Sequence, residues 1–156
     1  MKLLVGIDLS EATEKIVKKA GELAKELSAQ VWLIHVTKPE PADLYITGYE
    51  PGLVENEADP QLVRDSMAKR FHNEHRQIQE IADRLRKAGL DTTALLVQGA
   101  TVEMILKEAS KLDIDMIVVG SHGRGAMYQL LVGSVSEGVI HASKCPVLVV
   151  PTHKRT

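Results

Sequence analysis

Short apolar runs alternate along the chain with segments whose apolar residues recur at helical spacing. Residues 3–7 form a mostly apolar run closed by Asp8 and Ser10, and residues 31–36, 91–97, 114–119 and 146–150 repeat the pattern. Runs this short and continuous suit strands buried on both faces. Between the first two lie Ile16, Val17, Ala20, Leu23, Ala24 and Leu27, spaced as the apolar stripe of an amphipathic helix. Ser10, Glu11 and Glu14 suit the start of that helix, where orphan N–H groups need acceptors. Helical spacing returns over residues 61–88, where Met67, Phe71, Ile78, Ile81, Ala82 and Leu85 share a stripe and Gly89 is placed to end it. Unbroken, that helix would reach about 40 Å at ~1.5 Å per residue. This is long for the chain, so its first turns are expected to be irregular or frayed. Val102, Ile105, Leu106 and Ala109 mark a further helix, and a last one starts near Ser134 and carries Val135, Val139 and Ile140. Strand and helix in alternation predict an α/β fold, a doubly wound parallel sheet with helices on both faces.

Composition narrows the function classes. A length of 156 residues fits one domain, residues 1–156, and leaves little room for a second. Aromatic residues are 3% of the chain, so the core must be aliphatic. Nineteen Lys and Arg against 21 Asp and Glu leave a formal charge of −2, which gives no global attraction to nucleic acid or to an anionic membrane. Neither is expected as a partner. A single cysteine, Cys145, excludes an intramolecular disulfide and fits a reducing compartment. The N-terminal apolar run is too short for a signal peptide, and no stretch approaches the ~18 apolar residues that span a bilayer. The expected address is the cytoplasm. Residues 38–60 interrupt the compact pattern with Pro39, Pro41, Pro51 and Pro60, two glycines and an excess of acids. A loop of this length is read either as a solvated insertion or as a flap over a ligand site.

Doubly wound sheets bind ligands beyond the carboxyl ends of their strands. The loops to inspect therefore follow Ile7, Val36, Val97 and Val119. The last is the richest: Gly120-Ser121-His122-Gly123-Arg124-Gly125, and then Gly133-Ser134-Val135-Ser136-Glu137 opening a helix. Glycines let a ligand approach bare backbone. A helix start adds unpaired N–H groups and the positive end of a dipole, which suits an anion. The two clusters can face one phosphate chain from two sides. The competing reading is architectural, because Ser134-x-x-Glu137 is a capping box and Ser134 would then simply cap its helix. The chain holds no G-x-x-x-x-G-K-[ST] P-loop, and Gly123-Arg124-Gly125 lacks the third glycine of a dinucleotide fingerprint.

Gly120-x2-Gly123-x9-Gly133-Ser134 resembles the nucleotide-binding signature of the ATP-binding branch of the universal stress proteins. Val118 to Gly123, Leu131 to Glu137, the ending Cys145-Pro146-Val147-Leu148-Val149-Val150 and the start Val5-Gly6-Ile7-Asp8-Leu9-Ser10-Glu11 are similar to that family as well. The resemblance covers essentially the whole chain except the middle insertion. It implies a Rossmann-like, five-stranded sheet in the order 3-2-1-4-5, with the nucleotide in the crevice between Asp8 and Gly120. It implies that Asp8 lies near the ribose and adenine, and that the Val36 backbone reads the adenine edge. Gly120 and Gly123 would line the ribose and phosphates, and Gly133, Ser134 and Val135 would offer N–H or hydroxyl groups to the phosphates. The ligand would be ATP or AMP, with Mg carried through the phosphates. Leu9 and Thr13 depart from the residues common in the family at those places, where no phosphate chemistry is carried.

Each of these residues also has a plainer reading. Asp8 can serve as a helix-start acceptor, and Arg124 can neutralise phosphate charge or stand as an exposed cation. His122 suits a local hydrogen bond better than catalysis. His72 and His75 fit neither H-E-x-x-H nor H-x-x-E-H and read as a solvated helix face, so no metal site is expected. Cys145 reads as a small packed residue. Residues 146–150 read as an edge strand, and the resemblance implies that such strands pair across a homodimer. The expected function is a nucleotide-binding regulator of stress survival acting through an unidentified protein partner. The rivals are a slow ATPase or nucleotide-modifying enzyme, and a dimeric interaction module without ligand.

Overall fold

The computed structural model describes residues 1–38, 60–122 and 132–152. The elements run β1 (Lys2–Gly6), α1 (Ala12–Glu26), β2 (Gln30–Thr37), α2 (Pro60–Lys87), β3 (Thr92–Gln98), α3 (Thr101–Lys111), β4 (Met116–Gly120), α4 (Ser134–Ala142) and β5 (Val147–Val150). All five strands form one sheet in the order β3-β2-β1-β4-β5, and every neighbouring pair is parallel. The fold class, strand order and helix placement expected above are those observed.

Side-chain alternation explains why the strands read as continuous apolar runs. Leu3, Val5, Val31, Leu33 and Val118 point to one face, where Ile16, Val17 and Ala20 of α1 and Ile78, Ala82 and Leu85 of α2 cover them. Leu4, Ile34, Val36, Ile117 and Val119 point to the other face, against Ile105 and Ala109 of α3 and Val139 of α4. Both faces are buried, so no polar half remains for a period of two to reveal. Arg84 of α2 donates to both carboxylate oxygens of Glu14 on α1, at 2.6 and 3.3 Å. The hydrogen bond to Glu14 holds the Arg84 guanidinium above its usual pKa. The pair is exposed and adds little to stability.

One expectation is corrected. Helix α2 runs without a break through 28 residues from Pro60 to Lys87. Pro60 opens it, in a place where its missing N–H is no loss. The following turns hold neither glycine nor another proline and are rich in good helix formers. Apolar burial against the sheet begins only at Ile78, which is fully buried, whereas Leu62 and Phe71 are exposed. Helix-internal bonding continued from the packed half therefore sustains the early turns.

Three helices stop in the same way. Ser28 after α1, Gly89 after α2 and Asp113 after α3 have φ of 49°, 86° and 51°. The N–H groups that follow them fold back, Ala29 onto Ala24, Leu90 onto Leu85 and Ile114 onto Ala109, which closes each end in a Schellman motif. Gly89 adopts this geometry freely, whereas Ser28 and Asp113 do so under strain.

Replacing Ser28 or Asp113 with Gly is expected to raise the unfolding free energy by about 0.5–1 kcal/mol each, with the larger gain at Ser28. Urea midpoints of the two variants and of their combination check this. Gly120 behaves oppositely. A Cβ there would lie 2.7 Å from Ile16 Cδ1 and 2.8 Å from Thr152 Cγ2. Ile16 is buried, so it has little room to give way. Gly120→Ala is expected to lower stability by about 1–3 kcal/mol through overpacking, measured by the same unfolding curves without any ligand.

Candidate functional site

The chain adds β2 and β3 on one side of β1, then crosses to the other side for β4 and β5. Helix α1 leaves the end of β1 toward one face, and α4 leaves the end of β4 toward the opposite face. The crevice between them is the topological switch point. It holds a cavity of about 830 Å³, lined among others by Ile7, Asp8, Leu9, Val36, Gly120, His122, Gly133, Ser134 and Val135. That volume suits a ligand of nucleotide size. Six of the residues singled out from sequence, Asp8, Val36, Gly120, Gly133, Ser134 and Val135, thus share one cavity. Gly123, Arg124 and nearly all of the 38–60 insertion lie outside the described residues.

Asp8 closes β1. Its Oδ1 accepts the Ser10 N–H at 3.0 Å and the Ser10 hydroxyl at 2.6 Å, a local turn that starts α1. The helix-start reading of Asp8 is therefore realised, and the same residue lines the cavity. Leu9 follows with φ 58°, a left-handed backbone that a leucine adopts only under strain.

The end of β2 presents backbone. Ile7 N–H to Ile34 C=O, 3.0 Å, is the last rung that β1 makes on this side. Alternation along a strand aims the N–H and C=O of Val36 the same way as those of Ile34. No backbone group of the β1 end among the described residues meets them. A donor and an acceptor on one residue thus face the crevice side by side.

The start of α4 presents donors. Gly133 is the N-cap, and among the described residues no side chain caps the helix. Ser134 is the first helical residue, so the capping box legible in the sequence is not used. The N–H groups of Ser134, Val135 and Ser136 are those that helix geometry leaves without an intrahelical acceptor. All three residues line the cavity. Two bonds hold this turn in place: Gly133 N–H to Ser121 C=O at 2.6 Å, and the Ser136 hydroxyl to Gly120 C=O. The start of the glycine loop is tied in turn to the chain end. Thr152 Oγ1 accepts the His122 N–H at 3.1 Å and donates to the His122 carbonyl at 3.1 Å. Ser121 Oγ lies 3.0 Å from His122 Nδ1. His122 is thus held at the cavity by local bonds.

A polar wall was missed from sequence. Arg70, Asn73, Glu74 and Gln77 of α2 line the cavity together with His35, Thr37 and Lys38 of the β2 end. The signal was present. The four α2 residues fall at the spacing of one helix face, and His35 and Thr37 alternate at the end of an otherwise apolar strand. No single residue pair in it is a known signature. His72 and His75, which were singled out, are exposed on α2. Cys145 is half-buried and its N–H donates to Ser143 Oγ.

Comparison with known proteins agrees with this geometry. The model of the universal stress protein family matches residues 1–151. Universal stress protein YxiE of Bacillus subtilis is 31% identical over 150 residues, covering 96% of this chain and 97% of its own. Universal stress protein A homolog 2 of Coxiella burnetii is 33% identical over 150 residues, with 96% and 93% covered. Among solved structures, that of hypothetical protein MJ0577 superimposes with a TM-score of 0.77 at 27% identity, over 99% of this chain and 97% of that one. A universal stress protein in complex with cAMP superimposes with a TM-score of 0.64 at 25% identity, over 98% of each chain. Fold, crevice and whole-length sequence similarity coincide, and the chain belongs to the universal stress protein family.

Proposed function

We propose that this stress-family protein binds an adenine nucleotide, ATP or AMP, and acts as a cytoplasmic regulator through a protein partner rather than by turnover. The observation that carries the reading is one cavity with complementary ends. The first-turn N–H groups of α4 converge on one side of it, and the paired N–H and C=O of Val36 stand on the other. The first suits phosphate oxygens. The second suits the edge of a base, which offers an acceptor beside a donor. Gly133, Ser134 and Val135 then hold the phosphates, and Gly120 and Gly123 flank them and the ribose. Arg124 adds positive charge, and Asp8 approaches the ribose. The related protein crystallised with cAMP supports a nucleotide as the ligand class.

Regulation is favoured over catalysis by what lines the cavity. No P-loop lysine exists in the chain, and the Asp8 carboxylate is engaged by Ser10. Among the described residues no group of three or more His, Cys, Asp or Glu side chains is gathered that could hold a metal. A Mg ion would therefore enter on the phosphates. Among the described residues no helix is long and apolar enough to cross a membrane. We further propose that two copies pair through β5, the sheet edge beside β4.

Calorimetric titration with Mg-ATP is expected to saturate near one nucleotide per chain. Gly133→Val is expected to weaken binding about tenfold or more, since it blocks approach to N–H groups that contribute ~1.5–3 kcal/mol each toward a charged acceptor. Unchanged affinity would refute this placement of the phosphates. For the dimer, the Pro146 and Val150 carbonyls face β4, so alternation aims the Val149 N–H at the open edge. Val149→Pro removes that donor while leaving the β4 rungs intact. It is expected to convert the dimer to monomer in light scattering with nucleotide affinity retained.

A further inference from the structure

Phosphate binding leaves the α2 wall of the cavity without a role. Glu74 is its centre, with a side chain 21% exposed. Oε2 accepts the Thr37 hydroxyl at 2.5 Å. Oε1 stands 3.7 Å from His35 Nε2, too far for a direct hydrogen bond. The other ring nitrogen, His35 Nδ1, lies 2.9 Å from the Ile7 carbonyl. A carbonyl only accepts, so Nδ1 carries a hydrogen. Glu74 Oε1 thus stands on the cavity wall beside the edge of the His35 ring, oriented by the bond that Thr37 gives to Oε2.

The location matters as much as the chemistry. His35 and Thr37 continue the Val31 and Leu33 row of β2, the row that faces the helix pair α1 and α2. Strand β2 is two positions from β4 and the α4 N-terminus, a separation of ~10 Å at about 4.8 Å per strand. The first-turn N–H groups of α4 therefore stand at the β4 side of the cavity, and the Glu74 carboxylate stands at the β2 side among Arg70, Asn73 and Gln77. An acceptor placed against Oε1 would be repelled, whereas an N–H donor would satisfy it.

We infer that Glu74, positioned by Thr37, is the specificity-determining residue of this cavity and selects a 6-amino purine over a 6-oxo purine. The inference rests on the nucleotide reading above and adds a side-chain reader to the backbone one at Val36. A 6-amino group brings two donors, one for the Val36 carbonyl and one for Glu74 Oε1. A 6-oxo group brings a third acceptor and leaves both unsatisfied, the arrangement that discriminates most strongly between near-isosteric ligands.

The test titrates the wild type, Glu74→Gln and Thr37→Val with ATP and with inosine triphosphate, which carries 6-oxo in place of 6-amino. Circular dichroism and thermal unfolding establish that each variant is folded. In Glu74→Gln the Thr37 hydroxyl still donates to the amide oxygen, which places the NH2 where Oε1 stood. An acceptor becomes a donor without change of shape. The wild type is expected to prefer ATP by about tenfold or more. Glu74→Gln is expected to lose at least about tenfold of that preference, with inosine triphosphate bound more tightly than by the wild type. Thr37→Val is expected to fall between. An unchanged ratio in variants that still bind ATP overturns the inference and leaves the nucleotide reading intact. A parallel loss of both ligands in Glu74→Gln overturns it also, since it makes Glu74 merely structural. Failure of the wild type to bind either nucleotide overturns both readings together.

Discussion

Strand β1 stops short. Its last sheet residue, Gly6, is paired with Ile34, yet β2 continues to Thr37. That mismatch in length leaves the Val36 backbone facing open space instead of a neighbouring strand. It also exposes the Ile7 carbonyl to the His35 ring, and it gives Asp8 room to turn the chain into α1. A β1 two residues longer would close the ladder and abolish the crevice on this side. The candidate site is in this sense a place where sheet hydrogen bonding has been withheld, and the unmet groups define what a ligand must bring.

The sheet tolerates such a gap because both of its faces are sealed. Each strand alternates between two aliphatic clusters, one under α1 and α2 and one under α3 and α4. The cavity opens only beyond the strand ends, where no apolar surface has to be given up. Gly120 shows how tightly the boundary is drawn. Its missing Cβ makes room for Ile16 and Thr152 as well as for a ligand's approach. The residue thus belongs at once to the packing and to the site, and its presence in a glycine motif does not by itself decide between them.

Charge and hydrogen-bonding character divide the cavity. The α4 side is made of N–H groups held by Ser121 and Ser136. The β2 and α2 side carries a carboxylate and an imidazole held by Thr37 and Ile7, together with Arg70, Asn73 and Gln77. Neither half works from residues adjacent in sequence. Glu74 lies 37 residues after Thr37, and Ser136 lies 16 residues after Gly120.

Local pattern was enough for much of this protein. The five apolar runs became the five strands, and the helical stripes became the four helices, because aliphatic periodicity is a direct record of which faces are buried. Gly89 was legible as a helix end, and the glycine loop pointed to the α4 terminus because glycine is rare without a steric reason. Three things could not be read. The regularity of the first turns of α2 was misjudged, although its extent was legible, because sequence does not say how far helical bonding carries past the sheet that anchors it. The Ser134 capping box was legible but unused, because Gly133 N–H and Ser136 Oγ are instead drawn to Ser121 and Gly120 across the crevice. The His35, Thr37 and Glu74 wall was invisible because its members are ordinary polar residues in separate segments. Only the packing of α2 against β2 and β3 brings them within bonding distance, and a hydrogen bond between distant segments exists only once the chain between them has folded.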